Sequence, residues 1–494
     1  MTREVNNTEQ IPEPVQIVLQ TLMKAGFEAY LVGGCVRDIK LHKKPKDWDI
    51  TTNAVPENII GLFPHTFYEN TYGTVGVVID ESIDDSFKVI EVTPYRLETG
   101  YSDKRRPDQV VFSNTIKDDL KRRDFTINAI AFNPIDGKII DLYKGQEDLS
   151  CKLLRTVGDA KERFQEDALR ILRAVRLSTE LGFAIEKSTE KALVDNSNLL
   201  GHISKERIRD EFIKIVMSDQ PKKGIEVANQ LGILRFISID LEKGIGIDQG
   251  GVHTYDVWEH LLRSLQLTAD KKWPLETRLA ALFHDIGKPD TRRKTPGKDK
   301  WTFYGHEVVG ARMTKKILTE LRFPQKTIEK VVKLVRWHMF FSDTEQITPS
   351  AVRRLVVNVG KENIWDLMDV RVADRIGTGR PKESPYRLRK YHSMIDEVMR
   401  DPISVAMLNI NGKRIMDVIR ETPGPKIGFI LHALLEEVIE DPQKNIAAYL
   451  EKRAGELAVL SLLELRIRGE KGKHLKDEEE KREVEEIRKK HFVD

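Results

Sequence analysis

The sequence predicts an α/β head over residues 1–150 followed by a long all-α remainder. Three observations carry that prediction. Short β-type runs flanked by Gly, Pro and Asp are confined to the first 150 residues. From about Asp159 the apolar residues switch to helical spacing, as in Ala168, Ile171, Leu172, Val175 and Leu177. A glycine pair followed by an Asp-x-Asp sits among the β-type runs, where backbone can approach a phosphate and carboxylates can share one strand face.

In chain order, the first β-type run is Ala29–Val32, leading into Gly33-Gly34-Cys35-Val36-Arg37-Asp38. Next comes Asp47-Trp48-Asp49-Ile50-Thr51-Thr52; on an extended strand Asp47 and Asp49 point one way and Trp48 the other. Two hard oxygen donors on one face suit Mg²⁺, which takes its other ligands from water and phosphate. Alone, an Asp-x-Asp reads as a polar turn; the glycines and the later motifs change that. Residues 73–79, 88–93 and 126–131 are the remaining expected strands, and Glu91 in the second could join the aspartates as a third carboxylate. Residues 96–106, with Gly100, Tyr101, Asp103, Lys104, Arg105 and Arg106, read as a polar loop able to close over a nucleotide or simply to join two strands. In Arg122-Arg123-Asp124-Phe125-Thr126-Ile127-Asn128-Ala129 the arginines offer forked donors for phosphate oxygens, and Asp124 can accept from a ribose hydroxyl. The helical stretch from Arg163 to Arg176 places Asp167 and Arg170 three apart on one face, an acceptor and a donor fork able to read a base edge or to form a weak surface ion pair. Breaks in the helical pattern fall at residues 244–251 and at Pro423-Gly424-Pro425, and the stretch after Arg466 is dense in Lys, Glu and Arg, as a solvated or disordered end would be.

At 494 residues the chain exceeds a single core and should divide into about three or four domains. Apolar residues make up 40% and charged ones 32%, which fits a soluble, helix-rich protein. A net charge of +3 leaves nucleic-acid partners open, because a basic stripe can sit opposite an acidic surface. Cys35 and Cys151 are too few for a disulfide framework and suggest a reducing compartment. With no apolar signal region and no apolar run of about 18 residues, the expectation is a cytoplasmic protein without membrane contact.

The motifs from Leu31 to Asp38, Asp47 to Asp49, Glu91 to Arg96, Arg122 to Ala129 and Glu166 to Arg176 together resemble the class II tRNA nucleotidyltransferase and bacterial poly(A) polymerase family. Ile203-Ser204-Lys205-Glu206-Arg207-Ile208 resembles its later neck motif. The stretch with Asn411-Gly412-Lys413 and Pro423-Gly424-Pro425 is similar to the tail of its CCA-adding members. The resemblance implies a polymerase-β-like nucleotidyltransferase head (1–150), a helical neck with a nucleotide-selecting helix (151–225), a helical body (226–400) and a helical tail (401–494). It implies addition of C, C and A to tRNA 3′ ends from CTP and ATP without a nucleic-acid template. Asp47, Asp49 and Glu91 would be catalytic, with the two aspartates holding Mg²⁺. Gly33, Gly34 and Arg37 would hold the triphosphate, Arg123, Asp124 and Asn128 would line phosphates and ribose, and Asp167 with Arg170 would be the protein template, with Arg173 and Arg176 beside the nucleotide. The loop at 96–106 is of the kind that A addition requires in this family. An A-adding enzyme or a poly(A) polymerase shares the head motifs and is the near alternative.

The body carries His260, His284-Asp285, His306, His338 and Asp374 on successive expected helices, a set that can converge in a bundle core. Imidazole with carboxylate suits Mn, Fe, Co, Ni or Zn. The pattern resembles the HD superfamily of metal-dependent phosphohydrolases, with His260, His284, Asp285 and Asp374 as ligands and His306 and His338 as the extra histidines of two-metal members. His253 could stand in for His260. This site supplies the alternative of another class, in which phosphoester hydrolysis is the main activity and the head only binds. The oligomeric state is left open.

Overall fold

A computed structural model describes residues 11–68, 72–79, 88–100, 108–250, 253–295, 301–340, 347–399 and 404–465. The chain divides between Ile237 and Ser238 into two compact units.

The first unit is built on a seven-stranded sheet. Its strands are β1 (Ala29–Val32), β2 (Asp49–Thr52), β3 (Thr66–Tyr68), β4 (Val75–Val78), β5 (Val89–Pro94), β8 (Ile130–Phe132) and β9 (Ile139–Asp141), in the order β3-β4-β5-β2-β1-β8-β9. β6 (Arg96–Thr99) and β7 (Gln109–Phe112) form a separate antiparallel ribbon. Every residue of β1 is buried, which explains its unbroken apolar run at the sheet centre. Helix α1 (Glu13–Lys24) buries Val15, Val18, Leu19 and Leu22, the i, i+3, i+4, i+7 stripe of a surface helix. α2 (Gly34–Lys40), α3 (Pro56–Leu62), α4 (Ile116–Lys121) and α5 (Gly145–Ser150) complete the head. Among the described residues of the seven-stranded sheet only the β2–β5 pair is parallel, and its register sets Asp49 opposite Glu91.

Three expectations need correcting. Residues 126–131 are not one strand: Thr126–Asn128 is a 3₁₀ turn and β8 starts at Ile130, because the Asn128 side chain is drawn into polar contacts with Asp124 and Arg37. The strand of the Asp-x-Asp begins at Asp49, so Asp47 lies in the loop that enters it. Residues 96–99 are strand rather than loop, and residues 101–107 lie outside the described set.

Past β10 (Leu153–Leu154), the stretch expected as a single helix is two: α6 (Ala160–Glu166) and α7 (Leu169–Leu181), with β11 (Ala184–Ile185) after them. Asp167 is extended, φ −132° and ψ 103°, and its carboxylate accepts the Leu169 N–H at 3.0 Å in the manner of a helix cap. Gly182, at φ 70°, closes α7 in the left-handed conformation that suits glycine. α8 (Lys187–Asn196), α9 (Lys205–Met217), α10 (Pro221–Gln230) and α11 (Arg235–Ser238) follow.

The second unit is helical: α12 (Val257–Asp270), α13 (Leu275–Phe283), α14 (Lys288–Thr291), α15 (His306–Glu320), α16 (Gln325–Trp337), α17 (Pro349–Val359), α18 (Ile364–Gly377) and α19 (Tyr386–Val398). A small ribbon of β12 (Arg293–Lys294) and β13 (Trp301–Thr302) joins α14 to α15. α12 packs on α13 and α18, and α15 on α16. Its last helices, α20 (Gly412–Ile419), α21 (Pro425–Glu440) and α22 (Ala447–Ala458), share a core around Ile415, Ile430, Leu434, Val438 and Leu450. Asn411 caps α20 by accepting the Arg414 N–H, and Pro425 opens α21. The charged end after Arg466 lies outside the described residues. No described helix is long and apolar enough to cross a membrane.

Candidate active site and metal centre

β1 ends at Val32, and the chain turns through Gly33 at φ 81° and ψ −136° into α2. A side chain there would be strained, and its Cβ would stand 3.2 Å from both Asp49 Oδ2 and Arg123 Nη1. The backbone of Gly33 therefore lies against an acid and an arginine at once. Trp48 is 3% exposed and points into the core, while Asp47 is exposed and Asp49 half-buried. Burial pushes the Asp49 carboxyl above its ordinary value; Arg123 opposes that and Asp47 adds to it. Glu91, exposed on β5, sits across the parallel register from Asp49. Asp47, Asp49 and Glu91 are hard oxygen donors of the kind that suit divalent cations, and the raised Asp49 carboxyl reflects chiefly its burial.

Asp119, which sequence reasoning passed over, organises the arginines. It is fully buried on α4; its Oδ1 accepts from Arg122 Nε at 2.9 Å and Nη2 at 2.6 Å, and its Oδ2 from Arg123 Nε at 3.3 Å and Nη2 at 3.0 Å. Burial works against its charge, but Arg122 and Arg123 outweigh it and hold the carboxyl below its ordinary value. The available signal was the i, i+3 and i, i+4 spacing of one acid to two arginines.

Asp124 accepts from the Phe125 N–H at 2.8 Å and Asn128 Nδ2 at 3.1 Å, and pairs with Arg173 Nη2 at 2.6 Å. Burial opposes its ionisation, yet Arg173 and Asn128 bring its carboxyl down to about 2. Arg37 Nη1 donates to Asn128 Oδ1 at 3.0 Å, which links α2 to this group. Arg176 is tied to Glu211 and Glu180, a pairing within the helices rather than toward the strand edge.

Asp167 and Arg170 do not pair with each other, because the break between α6 and α7 separates them. Asp167 is gripped by both guanidinium nitrogens of Arg207, at 3.2 and 2.8 Å, from the α9 neck motif. Arg170 donates to Glu166 Oε2 at 2.6 Å and to the carbonyls of Arg163 and Arg122 at 3.1 and 2.9 Å. Arg207 and Glu166 were not assigned these partnerships from sequence.

In the second unit, His260 of α12, His284 and Asp285 after α13, and Asp374 of α18 bring one ligand atom each to within 4.8 Å of one another; Asp285, His306 and His338 do the same. Asp285 is shared. Its Oδ2 lies 3.1 Å from His260 Nε2 and 3.4 Å from His284 Nε2, and its Oδ1 lies 3.1 Å from His306 Nε2 and 3.4 Å from His338 Nε2. Asp374 Oδ1 stands 3.6 and 3.7 Å from His260 and His284. Nδ1 of His284, His306 and His338 faces the carbonyls of Ala281, Phe303 and Val335 at 2.8, 2.7 and 2.7 Å. A carbonyl only accepts, so Nδ1 carries the proton and turns Nε2 inward, the usual way a metal-binding imidazole is aimed. Ligand atoms about 2.1 Å from one metal at right angles lie about 3 Å apart, close to these spacings. Although burial opposes it, Asp285 and Asp374 raise His284 to about 10; burial pushes His338 down to about 4. Burial likewise opposes both carboxyls, yet Lys288 with His284 holds Asp285 well below the carboxylate range, and Arg371 with the histidines holds Asp374 there. His253 lies edge-on to His260, ring centroids 5.6 Å apart, outside both groups. Lys288, also unassigned from sequence, is 7% exposed and reaches Asp285 Oδ2 and Gln249 Oε1, each at 2.6 Å.

Three family models match the chain: a Poly A polymerase head domain over residues 29–155, a probable RNA and SrmB-binding site of polymerase A over 182–242, and an HD domain over 257–378. A CCA-adding enzyme of Lactobacillus helveticus is 33% identical over 437 residues, covering 88% of this chain and 94% of the relative. One of Geobacillus thermodenitrificans is 32% identical over 448 residues, covering 88% and 96%. Among solved structures, the Bacillus stearothermophilus CCA-adding enzyme in complex with CTP aligns at TM-score 0.65 and 28% identity, over 90% of this chain and 98% of that one. The Thermotoga maritima CCA-adding enzyme complexed with tRNA, at 20% identity and TM-score 0.55 over 92% and 98%, shares the fold.

Proposed function

The chain belongs to the family of CCA-adding enzymes, and we propose on that premise that it adds C, C and A to the 3′ end of tRNA from CTP and ATP without a nucleic-acid template. The observation that carries the proposal is the meeting of Asp49 and Arg123 at the bare backbone of Gly33, with Glu91 the register partner of Asp49 on the next strand. Divalent cations held by Asp47 and Asp49, Mg²⁺ by the hardness of the donors, would supply activation of the primer hydroxyl and neutralisation of the triphosphate. In-line attack on an α-phosphate asks little covalent help of the protein, so its side chains act by orientation and charge. Arg123, anchored by Asp119, presents a fixed cation to the phosphates next to Asp49. Gly33 and Gly34 let the triphosphate meet backbone, and Arg37, Asp124, Asn128 and Arg173 form the polar wall toward the ribose. Glu91 supports the aspartates from the neighbouring strand.

C and A share an amino donor beside a ring-nitrogen acceptor, whereas U and G present the reverse pattern. The carboxylate of Asp167, oriented by Arg207, suits the amino group. Three of the five Arg170 N–H groups meet protein acceptors, which leaves two for a ring nitrogen. Full-length relatives with the CCA-adding name favour complete addition over the A-adding or poly(A) alternative. We retain the finer division at residues 150, 225 and 400 as part of this proposal, with a cytoplasmic location and a tRNA contact that weakens steeply with salt.

The two ligand groups that share Asp285, one of four residues and one of three, support a second reaction, hydrolysis of phosphate esters by two transition-metal ions of the Mn, Fe, Co, Ni or Zn class. The complete head cluster weighs against this being the main activity. The test of the main proposal is primer extension on three tRNA transcripts, ending before CCA, after C and after CC, with CTP, ATP or both. Stepwise extension stopping at CCA is expected. Extension of the CC-ending transcript alone, or a long A tail, would replace the proposal with the A-adding or poly(A) alternative.

A further inference from the structure

The ligands of the second unit are joined by an element that neither proposed reaction uses. From Asp285 the chain passes through α14, forms the β12–β13 ribbon and returns directly to His306. The ribbon is fastened to the metal centre at its base. The Phe303 carbonyl, one residue past β13, takes the His306 Nδ1 hydrogen bond at 2.7 Å, and the Phe303 ring lies 5.8 Å from Lys288 Nζ. Gly287 packs so closely on the start of α15 that a Cβ would collide with the His306 carbonyl and the Gly310 amide.

Lys294 and Trp301 are register partners, and Arg292 is two residues before Lys294, so all three side chains share one face of the ribbon. The guanidinium of Arg292 stacks over the Trp301 ring at 3.8 Å, with Lys294 Nζ 6.0 Å from the same ring. Among the described residues Arg292 Nε is buried with no hydrogen-bond partner, a cationic donor lacking an acceptor. Arg293 and Lys294 are exposed. A planar cation stacked on an aromatic ring, flanked by further cations, is a surface on which a nucleobase can stack while its phosphates are paired.

We propose that this ribbon is an RNA-binding element that delivers a phosphoester of an RNA strand to the two ligand groups that share Asp285. The proposal rests on these two groups being a hydrolytic metal centre, and it narrows their substrate from phosphate esters in general to those carried by RNA. An RNA strand can occupy the ribbon and the ligand cluster together, which a small ester cannot. The base of the ribbon touches the ligand His306 through the Phe303 carbonyl, so a strand held on the ribbon runs toward the metal ligands.

The test compares the full-length protein with its Arg292→Ala/Lys294→Glu variant, loaded with Mn²⁺, Co²⁺ or Ni²⁺. The substrates are bis-p-nitrophenyl phosphate, a mononucleoside phosphodiester and a single-stranded 12-nucleotide RNA. The ratio of kcat/KM for RNA to that for the p-nitrophenyl ester should fall at least tenfold in the variant. An unchanged ratio overturns the proposal, and so does an equal fall for the mononucleoside ester, which would make a free nucleotide the substrate. In parallel, metal-free native protein is irradiated with 5-iodouridine-substituted RNA and the cross-linked peptides are sequenced. A cross-link at Trp301 is expected, and its absence overturns the RNA assignment. If the native protein hydrolyses none of the three esters, the hydrolytic reading fails and the cross-link alone decides whether the ribbon binds RNA.

Discussion

Replacing Asp119 by Asn tests whether the buried carboxylate on α4 holds the phosphate-facing arginines in place. Asn keeps one acceptor for Arg122 but turns an amide NH₂ toward Arg123, whose Nε and Nη2 now donate to Oδ2 at 3.3 and 3.0 Å. A charge-assisted bond contributes about 1.5–3 kcal/mol. The Arg123 side chain is 15% exposed, so water can relieve part of the loss, and the cost should be about 2 kcal/mol. Asp119→Ala strands both arginines and should cost about 4 kcal/mol, within the range for a broken buried pair. For a unit of this size these correspond to midpoint shifts of roughly 4–8 °C for Asn and more for Ala. Arg123 keeps its charge but loses its fixed direction beside Asp49, so KM for CTP should rise about tenfold, or about 1.4 kcal/mol of binding. The assay is thermal unfolding alongside steady-state C addition. Stability within about 0.5 kcal/mol of native together with an unchanged KM would refute the role given to Asp119.

Arg207→Ala releases the fork on Asp167 and should lower discrimination of CTP over UTP by about tenfold, read from competitive incorporation into a tRNA lacking CCA. Unaltered selectivity would place the control of Asp167 elsewhere. The Asp124 carboxyl is depressed to about 2 in the fold. Its stabilising contribution is therefore present above its unfolded value near 4 and is lost as pH falls toward 2. Asp124→Asn should remove roughly 2 kcal/mol of that acid dependence, seen as a flatter denaturation profile between pH 4 and 2; an unchanged slope would contradict it. His338→Ala should reduce bound transition metal from two ions per chain to one by elemental analysis, while two ions retained would contradict the division of the ligands into two groups around Asp285.

The sequence carried those parts of the site whose partners are set by local period. Glu91 lies within a short strand-like run and Asp49 at the start of another, and their parallel register sets them opposite each other. The histidines of the second unit fall on helical faces that read as core, and a buried imidazole such as His260 is informative because burial of a polar group demands a partner. What could not be read depends on contacts between distant segments. Nothing in Glu166-Asp167-Ala168 forbids a continuous helix; the break follows from Arg207, forty residues on, gripping Asp167, and from the cap that Asp167 gives to α7. Asp119 has the spacing of a weak surface ion pair, and only its complete burial makes it an anchor. Thr126 to Ala131 has strand composition, yet Asn128 is worth more to the fold in contact with Asp124 than in a ladder. Lys288 reads as a surface lysine after His-Asp until Gln249 and Asp285 are seen around it.

The central claim is that the carboxylate edge around Asp49 performs nucleotide transfer. The most direct measurement is single-turnover addition of C to a tRNA transcript lacking CCA, by the native protein and by Asp49→Ala, with circular dichroism to verify that the variant is folded. A folded variant slower by at least about a thousandfold, a loss of about 4 kcal/mol in the transition state, is the predicted result. A folded Asp49→Ala protein that still adds C at near-native rate would remove this site from the reaction.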